Sequence, residues 1–193
     1  AVAVQAAIGQ LSDLGAAVEE VVLPFNREAI DAWNVMAQAE AYATHEGHLT
    51  RHGDELSPDV AERLLLGRDL TANQYLRARD SRMRINREMA AVLAETPVLA
   101  LPTTALPAVP IETGALWVGD RKVEGWRALG QLTRLACFTG QPAISVPCGF
   151  TADGLPVGLQ LLAGWFEEPT LLRVASAYEG ATEWHRRRPP LAS

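Results

Sequence analysis

Apolar and polar positions in the first part of the chain follow the periods of a helix, a strand and a second helix. Residues 4–14 place an apolar side chain at about every third or fourth position, and Gly15 follows, which predicts an amphipathic helix ending at that glycine. Residues 17–24 are rich in valine and close on a proline, so they predict a short strand. Residues 26–45 contain no helix breaker and predict a second helix.

Cap patterns mark the start of two further helices. Ser57 precedes Pro58, and because proline is favoured at the first helical position, a helix is expected to begin there. Thr71 is followed three residues later by Gln74, which is the spacing of a capping box. Residues 71–95 then carry apolar positions interleaved with arginines and predict a long helix.

The middle of the chain contains one apolar run and one broken segment. Residues 96–102 hold a uniformly apolar run between two prolines, which predicts a strand covered on both faces in a central parallel sheet. Residues 102–125 are interrupted by prolines and glycines, so they predict an extended surface loop or pocket wall. A helix is expected over residues 126–138.

The last part of the chain predicts a hairpin and a helix. Residues 143–147 and 157–163 are apolar and predict two antiparallel strands, with Asp153-Gly154 at their turn. Residues 169–184 predict a final helix, and the arginine- and proline-rich tail that follows is expected to lose order. No internal repeat is present, and residues 1–193 are expected to form a single unit.

The charge balance narrows the class of partner. The chain has 17 Lys and Arg against 23 Asp and Glu, a net charge of −6, which argues against general binding to nucleic acid or anionic membranes. No apolar run approaches the ~20 residues that span a bilayer. Two cysteines and no export signal predict a cytoplasmic protein. Because the sequence starts at Ala1 without methionine and enters a helical period at once, we expect a piece of a larger protein.

Candidates for a nucleophile are few. No two serines are adjacent, and the only lysine is Lys122. Ser145 lies inside an apolar strand, where a hydrogen-bonded core hydroxyl is expected. Cys148 follows Pro147 at a strand end, but its neighbours in sequence offer no base. A small buried residue is therefore expected at Cys148, and a cysteine hydrolase is the alternative.

Three histidines, His45, His48 and His52, share one predicted helical face. A rise of ~1.5 Å per residue separates the outer two by about 10 Å, so one metal ion could contact two of them at most. We therefore expect surface or pocket-edge histidines and no metal site.

An arginine series is the densest charged feature. Its members lie on different helical stripes, so a solvated face is expected for most of them. One arginine turned inward beside Tyr75 and Ala78 could bind a substrate carboxylate through two of its nitrogens. The series comprises Arg77, Arg79, Arg82, Arg84 and Arg87.

A long motif resembles a known family. Residues 139–150 read Thr-Gly-Gln-Pro-Ala-Ile-Ser-Val-Pro-Cys-Gly-Phe, and residues 153–161 read Asp-Gly-Leu-Pro-Val-Gly-Leu-Gln-Leu. Both closely resemble the C-terminal part of amidase signature enzymes. Other features of these enzymes occur in the same order over nearly the whole chain. They are residues 14–16 and 21–24, the Tyr75-x-x-Ala78-x-x-x-Arg82 helix, residues 102–104, and residues 170–189.

The resemblance implies an α/β fold, as part of an α/β/α layered structure with a mixed, mainly parallel central sheet. It implies hydrolysis of a carboxamide to a carboxylate and ammonia or amine, by way of a lysine, a bridging serine in a cis peptide and a nucleophilic serine. None of these three residues is in the chain. The resemblance therefore implies a C-terminal portion of an amidase, without a catalytic residue of its own and without a metal or organic cofactor.

Pocket residues can be carried over from the same resemblance. In the glutamyl-tRNA amidotransferases of this family, an arginine at the position of Arg82 holds the substrate carboxylate, and His48 falls near a pocket tyrosine. Those enzymes have an aspartate and an asparagine where this chain has Gly130 and Cys137, which favours a general amidase with a different amide. The implied substrate-pocket residues are Arg82, His48, Thr103, Cys137 and Gln141.

The expected partners follow from this interpretation. They are a small-molecule amide and either the missing N-terminal portion or a second copy of the chain, with no nucleic acid and no membrane. A catalytically inactive binding module is the alternative. It would hold a ligand or partner through the loop between Pro102 and Gly125, together with Trp117 and Trp126.

Overall fold

The computed structural model describes residues 2–110, 115–118, 121–124 and 129–188. The chain divides into two compact units. The sheet unit comprises Ala1–Val22 and Ala90–Ser193, and the helical unit comprises Leu23–Met89. The expectation of a single unit over residues 1–193 stays a prediction.

The helical unit confirms both predicted helix starts, since helices begin at Pro58 and Ala72, although Ser57 makes no side-chain cap bond. Asn26 accepts a hydrogen bond from the Ala29 backbone nitrogen at 3.2 Å and begins the second helix. Thr71 and Gln74 form the predicted capping box, because each side chain accepts a bond from the other residue's backbone nitrogen, at 3.2 and 2.8 Å. The helices are α2 (Arg27–His52), α3 (Pro58–Leu65) and α4 (Ala72–Glu95), with a 3₁₀ turn at Gly53–Glu55; the residues of α4 from Ala90 onward belong to the sheet unit.

Gly67 allows α2 to approach the end of α3. A Cβ atom built at Gly67 would lie 2.6 Å from the Cβ of Tyr42 and would overlap the backbone oxygen of Gln38. Gly67 is buried, so only a residue without a side chain fits at this position.

The sheet unit is built around an antiparallel sheet of three strands. The strands are β1 (Val98–Pro102), β4 (Ala143–Phe150) and β5 (Pro156–Ala163), in the order β1-β5-β4. The described helices of this unit are α1 (Val2–Asp13), α5 (Arg134–Thr139) and α6 (Glu168–Gly180), followed by a 3₁₀ turn at Trp184–Arg186. Gly15 ends α1 with φ of 98°, and Gly154 has φ of 78° at the turn of the β4–β5 hairpin, so both predicted glycine roles are confirmed.

Side chains alternate between the two faces of β5. Leu159, Leu161 and Ala163 face the core, which also contains apolar residues of α1, β4 and α6. Gly158, Gln160 and Leu162 therefore lie on the other face, called here the opposite face. The core residues of α1 and α6 are Val4, Ala7, Leu11, Leu171, Ala175 and Tyr178.

The structure corrects three of the predicted elements. Residues 17–24 form no strand, and Val22 is 92% exposed, because a strand needs a neighbour to bond with and no described strand pairs with this segment. The segment 102–125 is not a continuous loop, since β2 (Ala115–Val118) and β3 (Arg121–Glu124) form an antiparallel hairpin within it. β1 is buried only at Leu99 and pairs antiparallel to β5, so it is not a fully covered strand bonded to parallel neighbours in the described sheet.

The remaining predictions are confirmed in part. The α/β class is confirmed, while the mainly parallel character of the sheet stays a prediction because the described pairs are antiparallel. Of the helix predicted over residues 126–138, the described part is helical over Arg134–Thr139, and residues 126–128 lie outside the described residues. The last helix ends at Gly180, before the predicted Trp184, and a 3₁₀ turn follows at Trp184–Arg186. Of the tail predicted to lose order, residues 189–193 lie outside the described residues.

Phe166 has an unusual backbone conformation for its residue type. Its φ is 66°, and its side chain is 91% exposed. Because a left-handed residue with a Cβ costs about 1 kcal/mol more than glycine, Phe166→Gly is expected to raise the free energy of unfolding by about 1 kcal/mol in a urea titration. Phe166→Ala is the control. Because alanine keeps the Cβ, this variant should raise the free energy of unfolding much less. An equal gain in both variants would contradict strain as the cause.

Candidate functional site

Two hydroxyls meet on the opposite face of the sheet. The Oγ1 of Thr103 lies 2.6 Å from the Oγ of Ser145, and the backbone nitrogen of Thr103 donates to the carbonyl of Gly158 at 3.0 Å. β1 and β4 are both bonded to β5, so the two hydroxyls come from strands about 10 Å apart. They can meet because Gly158, between them, has no side chain. A Cβ there would lie 2.6 Å from the Thr103 hydroxyl and 2.7 Å from that of Ser145.

The prediction for Ser145 is confirmed in one respect and wrong in another. Its hydroxyl is hydrogen-bonded, as expected, but the residue is exposed rather than part of the core. The alternation of β4 explains this difference, because Ile144 and Val146 take the core-facing positions and leave Ser145 on the opposite face. Thr103, a predicted pocket residue, is half-buried beside it.

Two glutamines are buried in the same unit. The predicted pocket residue Gln141 is bonded through its Oε1 to the Thr139 hydroxyl at 2.8 Å, and Thr139 also receives the Trp165 indole N–H at its carbonyl. Gln160 pairs directly with Ser145 across the β4–β5 ladder. Its Nε2 is buried and has no hydrogen-bond partner in the part of the chain that the structure describes. Gln141 is therefore held internally, whereas Gln160 has an unused donor.

Sequence reasoning did not identify Gly158 or Gln160 as site residues. The available signal was their spacing, because a glycine and a glutamine two positions apart in an otherwise apolar strand lie on the same face. A polar side chain at such a position, opposite a serine in the neighbouring strand, indicates a polar patch on a sheet face.

The two cysteines differ in environment. Cys137, a predicted pocket residue on α5, is exposed, whereas Cys148 is buried, as expected. Cys148 is the unpaired residue of a bulge in β4, between Pro147 and Gly149, and it faces the core. Burial raises the pKa of the Cys148 thiol, so it lacks the lowered pKa that a cysteine nucleophile needs.

Alkylation is expected to separate the two thiols. Iodoacetamide at neutral pH should label Cys137, with Cys148 reacting at least ~100-fold more slowly because the core must open first. Labelled peptides quantified by mass spectrometry give both rates, and Cys137→Ser should remove the fast reaction. Similar rates at the two thiols would contradict the burial of Cys148.

A cavity of about 300 Å³ lies on the core side of the sheet unit. Its wall includes Trp184 and the buried Tyr178, whose pKa is raised, with burial as the main cause. Because Cys148 also lines it, this cavity lies on the face away from the Thr103–Ser145 pair. The other lining residues are Ala6, Ala7, Gln10, Ala181, Thr182 and Glu183.

In the helical unit, the predicted histidines lie on the surface of α2. The rings of His48 and His52 are 5.3 Å apart between centroids, and His52 Nδ1 lies 2.9 Å from Glu55 Oε1. His45 and His48 are both exposed on the same helix. Within the described ranges, no group of three or more His, Cys, Asp or Glu side chains could hold a metal ion.

The arginine series on α4 shows the predicted division. Arg82 is half-buried, while the other four arginines are exposed. Arg84, for example, lies 2.6 Å from Glu28 Oε2 and 2.8 Å from Glu88 Oε1, and its hydrogen bond is the main cause that lowers the pKa of Glu28. Both ion-pair partners of Arg84 thus belong to the helical unit.

Tyr75 and Arg82 lie on the same side of α4. The Tyr75 hydroxyl donates to the Glu40 carboxylate at 2.8 Å, and this bond is the main cause that raises the pKa of Tyr75. Arg82 is close enough to oppose that rise through its charge. The helical unit thus contains His48 and Arg82, and the sheet unit contains Thr103, Cys137 and Gln141. Their role as pocket residues stays a prediction.

The comparisons with known proteins agree with this fold. The chain belongs to the amidase family, because its residues 1–172 match the family model described as Amidase. No described helix is both long and apolar enough to cross a membrane.

Curated relatives and a solved structure define the likeness further. The chain is 36% identical to a glutamyl-tRNA(Gln) amidotransferase chain of Chloroflexus aggregans (strain MD-66 / DSM 9485), over 98% of this chain and 42% of the relative. It is 34% identical to the corresponding amidotransferase chain of Synechococcus sp. (strain JA-2-3B'a(2-13)), over 98% of this chain and 40% of the relative. A crystal structure of an amidase superposes with a TM-score of 0.84 at 30% identity, over 93% of this chain and 42% of that one. The chain thus spans about two fifths of the length of these relatives.

Proposed function

We propose that this chain forms part of the substrate-binding side of an amidase that hydrolyses a carboxamide to a carboxylate and ammonia or amine. The observation that carries the proposal is the match to the amidase family over residues 1–172. The amidase crystal structure with a TM-score of 0.84 supports it, because the likeness extends to the arrangement of the elements.

In this proposal, the reaction proceeds through a serine acyl-enzyme whose lysine and two serines lie outside the chain. The chain has one lysine, Lys122, and no adjacent serines, and its length corresponds to about two fifths of its relatives. Its own residues bind and orient the amide. Arg82 pairs with a carboxylate on the substrate, because a guanidinium can donate two parallel hydrogen bonds to that group. His48, Thr103, Cys137 and Gln141 are the other proposed pocket residues.

The proposed substrate is a small-molecule amide. Cys137 is exposed on α5, at the position where the resemblance places an asparagine in the amidotransferases. A thiol cannot form the hydrogen bonds that an asparagine carboxamide forms. We therefore propose a general amidase rather than a transferase that acts on charged tRNA.

The cysteines Cys137 and Cys148 are free thiols, which supports a reducing, cytoplasmic location. The proposed partner is the rest of the amidase or a second copy of the chain.

The test compares two proteins: the 193-residue chain, and the product of the whole reading frame that encodes it. Each is incubated with primary amides such as benzamide, butanamide and glutamine, and ammonia is measured. Parallel reactions contain hydroxylamine, which intercepts an acyl-enzyme and gives a hydroxamate. The reading-frame product is expected to release ammonia and form the hydroxamate, and the chain alone is expected to do neither. Ammonia release by the chain alone, or none by the reading-frame product, would contradict the proposal.

A further inference from the structure

The Thr103–Ser145 pair and the neighbouring Gln160 form a polar group on a sheet face that is otherwise apolar around it. Gln160 is 4% exposed, and its Nε2 has no hydrogen-bond partner in the ranges that the structure describes. A buried amide donor without a partner is destabilising, so native proteins usually satisfy it. The structure therefore leaves one buried donor of this group unused.

Gln160 is within reach of the Ser145 hydroxyl. The two residues are direct partners in the antiparallel ladder, and both lie on the opposite face. The Cβ atoms of such partners are about 5 Å apart, and a glutamine side chain can span that distance. A rotation of the Gln160 side chain therefore allows its Nε2 to donate to the Ser145 Oγ.

The hydrogen-bonding capacity of Ser145 then determines what the group can do. A hydroxyl accepts two hydrogen bonds and donates one. If Thr103, at 2.6 Å, and Gln160 both donate to the Ser145 Oγ, both acceptor positions are filled and the remaining O–H is free to donate. Because Ser145 is exposed, this donor is available to a ligand.

We propose that the Ser145 hydroxyl binds the carbonyl oxygen of a carboxamide, with Thr103 and Gln160 as positioning residues that direct its O–H toward the ligand. The three groups are uncharged, which favours a neutral carbonyl over a carboxylate. Gly158 is required because a side chain there would occupy the space in which the two hydroxyls meet. The inference rests on the proposed function in taking the ligand to be an amide.

The experiment measures binding of benzamide to the ¹⁵N-labelled chain by two-dimensional NMR. The side-chain amide signals of Gln160 are assigned by their loss in Gln160→Met. Benzamide is expected to shift these signals, although Gln160 is too buried to touch the ligand. Ser145→Ala should weaken binding about 10-fold, and Gln160→Met and Thr103→Val about 3-fold each. Benzoate should bind more weakly than benzamide; if it binds more tightly, the inferred neutral carbonyl ligand is wrong.

A double variant distinguishes positioning from general support of the fold. If Gln160 acts only through the Ser145 hydroxyl, Ser145→Ala with Gln160→Met should bind no more weakly than Ser145→Ala alone. Ser176→Ala, at an exposed serine on α6, is the matched control and should bind as the unchanged chain does. Independent losses in the double variant, or no binding of benzamide by the unchanged chain, would overturn the inference.

The result can be separated from the proposed function. Binding is measured without catalysis, and ammonia release is measured on the reading-frame product. Binding with the expected variant pattern but no hydrolysis would contradict the proposed function and leave the site supported. Hydrolysis without benzamide binding by the chain would overturn the site alone. Thermal unfolding of each variant shows whether it is folded, and Thr103→Val provides the second test should Ser145→Ala prove unstable.

Discussion

Gly67→Ala is expected to lower the free energy of unfolding by about 3 kcal/mol, because the added Cβ would overlap backbone as well as side-chain atoms of α2. The Gln38 carbonyl belongs to the hydrogen-bonded helix and cannot rotate away, and Tyr42 Cβ would lie only 2.6 Å from the new atom. The end of α3 must therefore move away from α2, which loses part of their packing. Urea unfolding followed by circular dichroism at 222 nm measures the change.

Gly53→Ala is the matched control for this prediction. Gly53 lies in the same unit, has φ of −63°, and has no other atom within 4 Å of its hypothetical Cβ. The substitution should therefore be neutral or stabilise by up to about 1 kcal/mol, since it reduces the freedom of the unfolded chain. If Gly67→Ala and Gly53→Ala changed the free energy of unfolding equally, the inference that α2 and the end of α3 approach closely at Gly67 would be wrong.

Arg82→Ala is expected to lower kcat/KM of the reading-frame product about 100-fold for an amide that carries a carboxylate, such as succinamate. Loss of a paired charged contact costs about 3 kcal/mol, and each 1.4 kcal/mol corresponds to a factor of ten. Butanamide, which has the same chain length without the carboxylate, should change less than about threefold. Arg82→Lys should retain part of the activity, because it keeps the charge but loses the second parallel hydrogen bond.

The paired substrates make this prediction specific to recognition. Arg77→Ala, at an exposed arginine on the same helix, is the control and should leave both substrates unaffected. If Arg82→Ala reduced turnover of succinamate and butanamide equally, Arg82 would support the fold rather than bind the carboxylate.

Features decided by neighbours in sequence were the ones that could be predicted. The Thr71–Gln74 capping box and the turn at Gly154 depend on residues a few positions apart, so their chemistry is complete within a short window. The family resemblance came from the same kind of local motif, in residues 139–161, and it is confirmed by the family match.

Features that depend on distant strands could not be derived in this way. Residues 17–24 have the composition of a strand, but composition does not supply the neighbour that a strand must bond with. The antiparallel pairing of β1 with β5 joins segments about sixty residues apart in sequence, so apolar character alone could not give its direction.

The candidate site shows the same limit. The sequence analysis named Thr103 and Ser145 separately, but it could not predict their contact. That contact depends on the register of the β1–β5 and β4–β5 ladders and on Gly158 between the two hydroxyls. The unpaired donor of Gln160 could be found only from the packed structure, because a glutamine in a strand gives no indication of whether its amide is satisfied.

Phe166 has a consequence for the evolution of this sequence. Its left-handed backbone is unfavourable for a residue with a side chain, and its exposed ring gains little from packing to offset that. Selection for folding stability alone would favour glycine at this position. In the 193 residues taken alone, phenylalanine therefore gives less stability at this position than glycine would, which selection tolerates where a protein need only exceed a threshold. Position 166 is thus a place where drift can raise stability and thereby increase tolerance to mutations elsewhere in the chain.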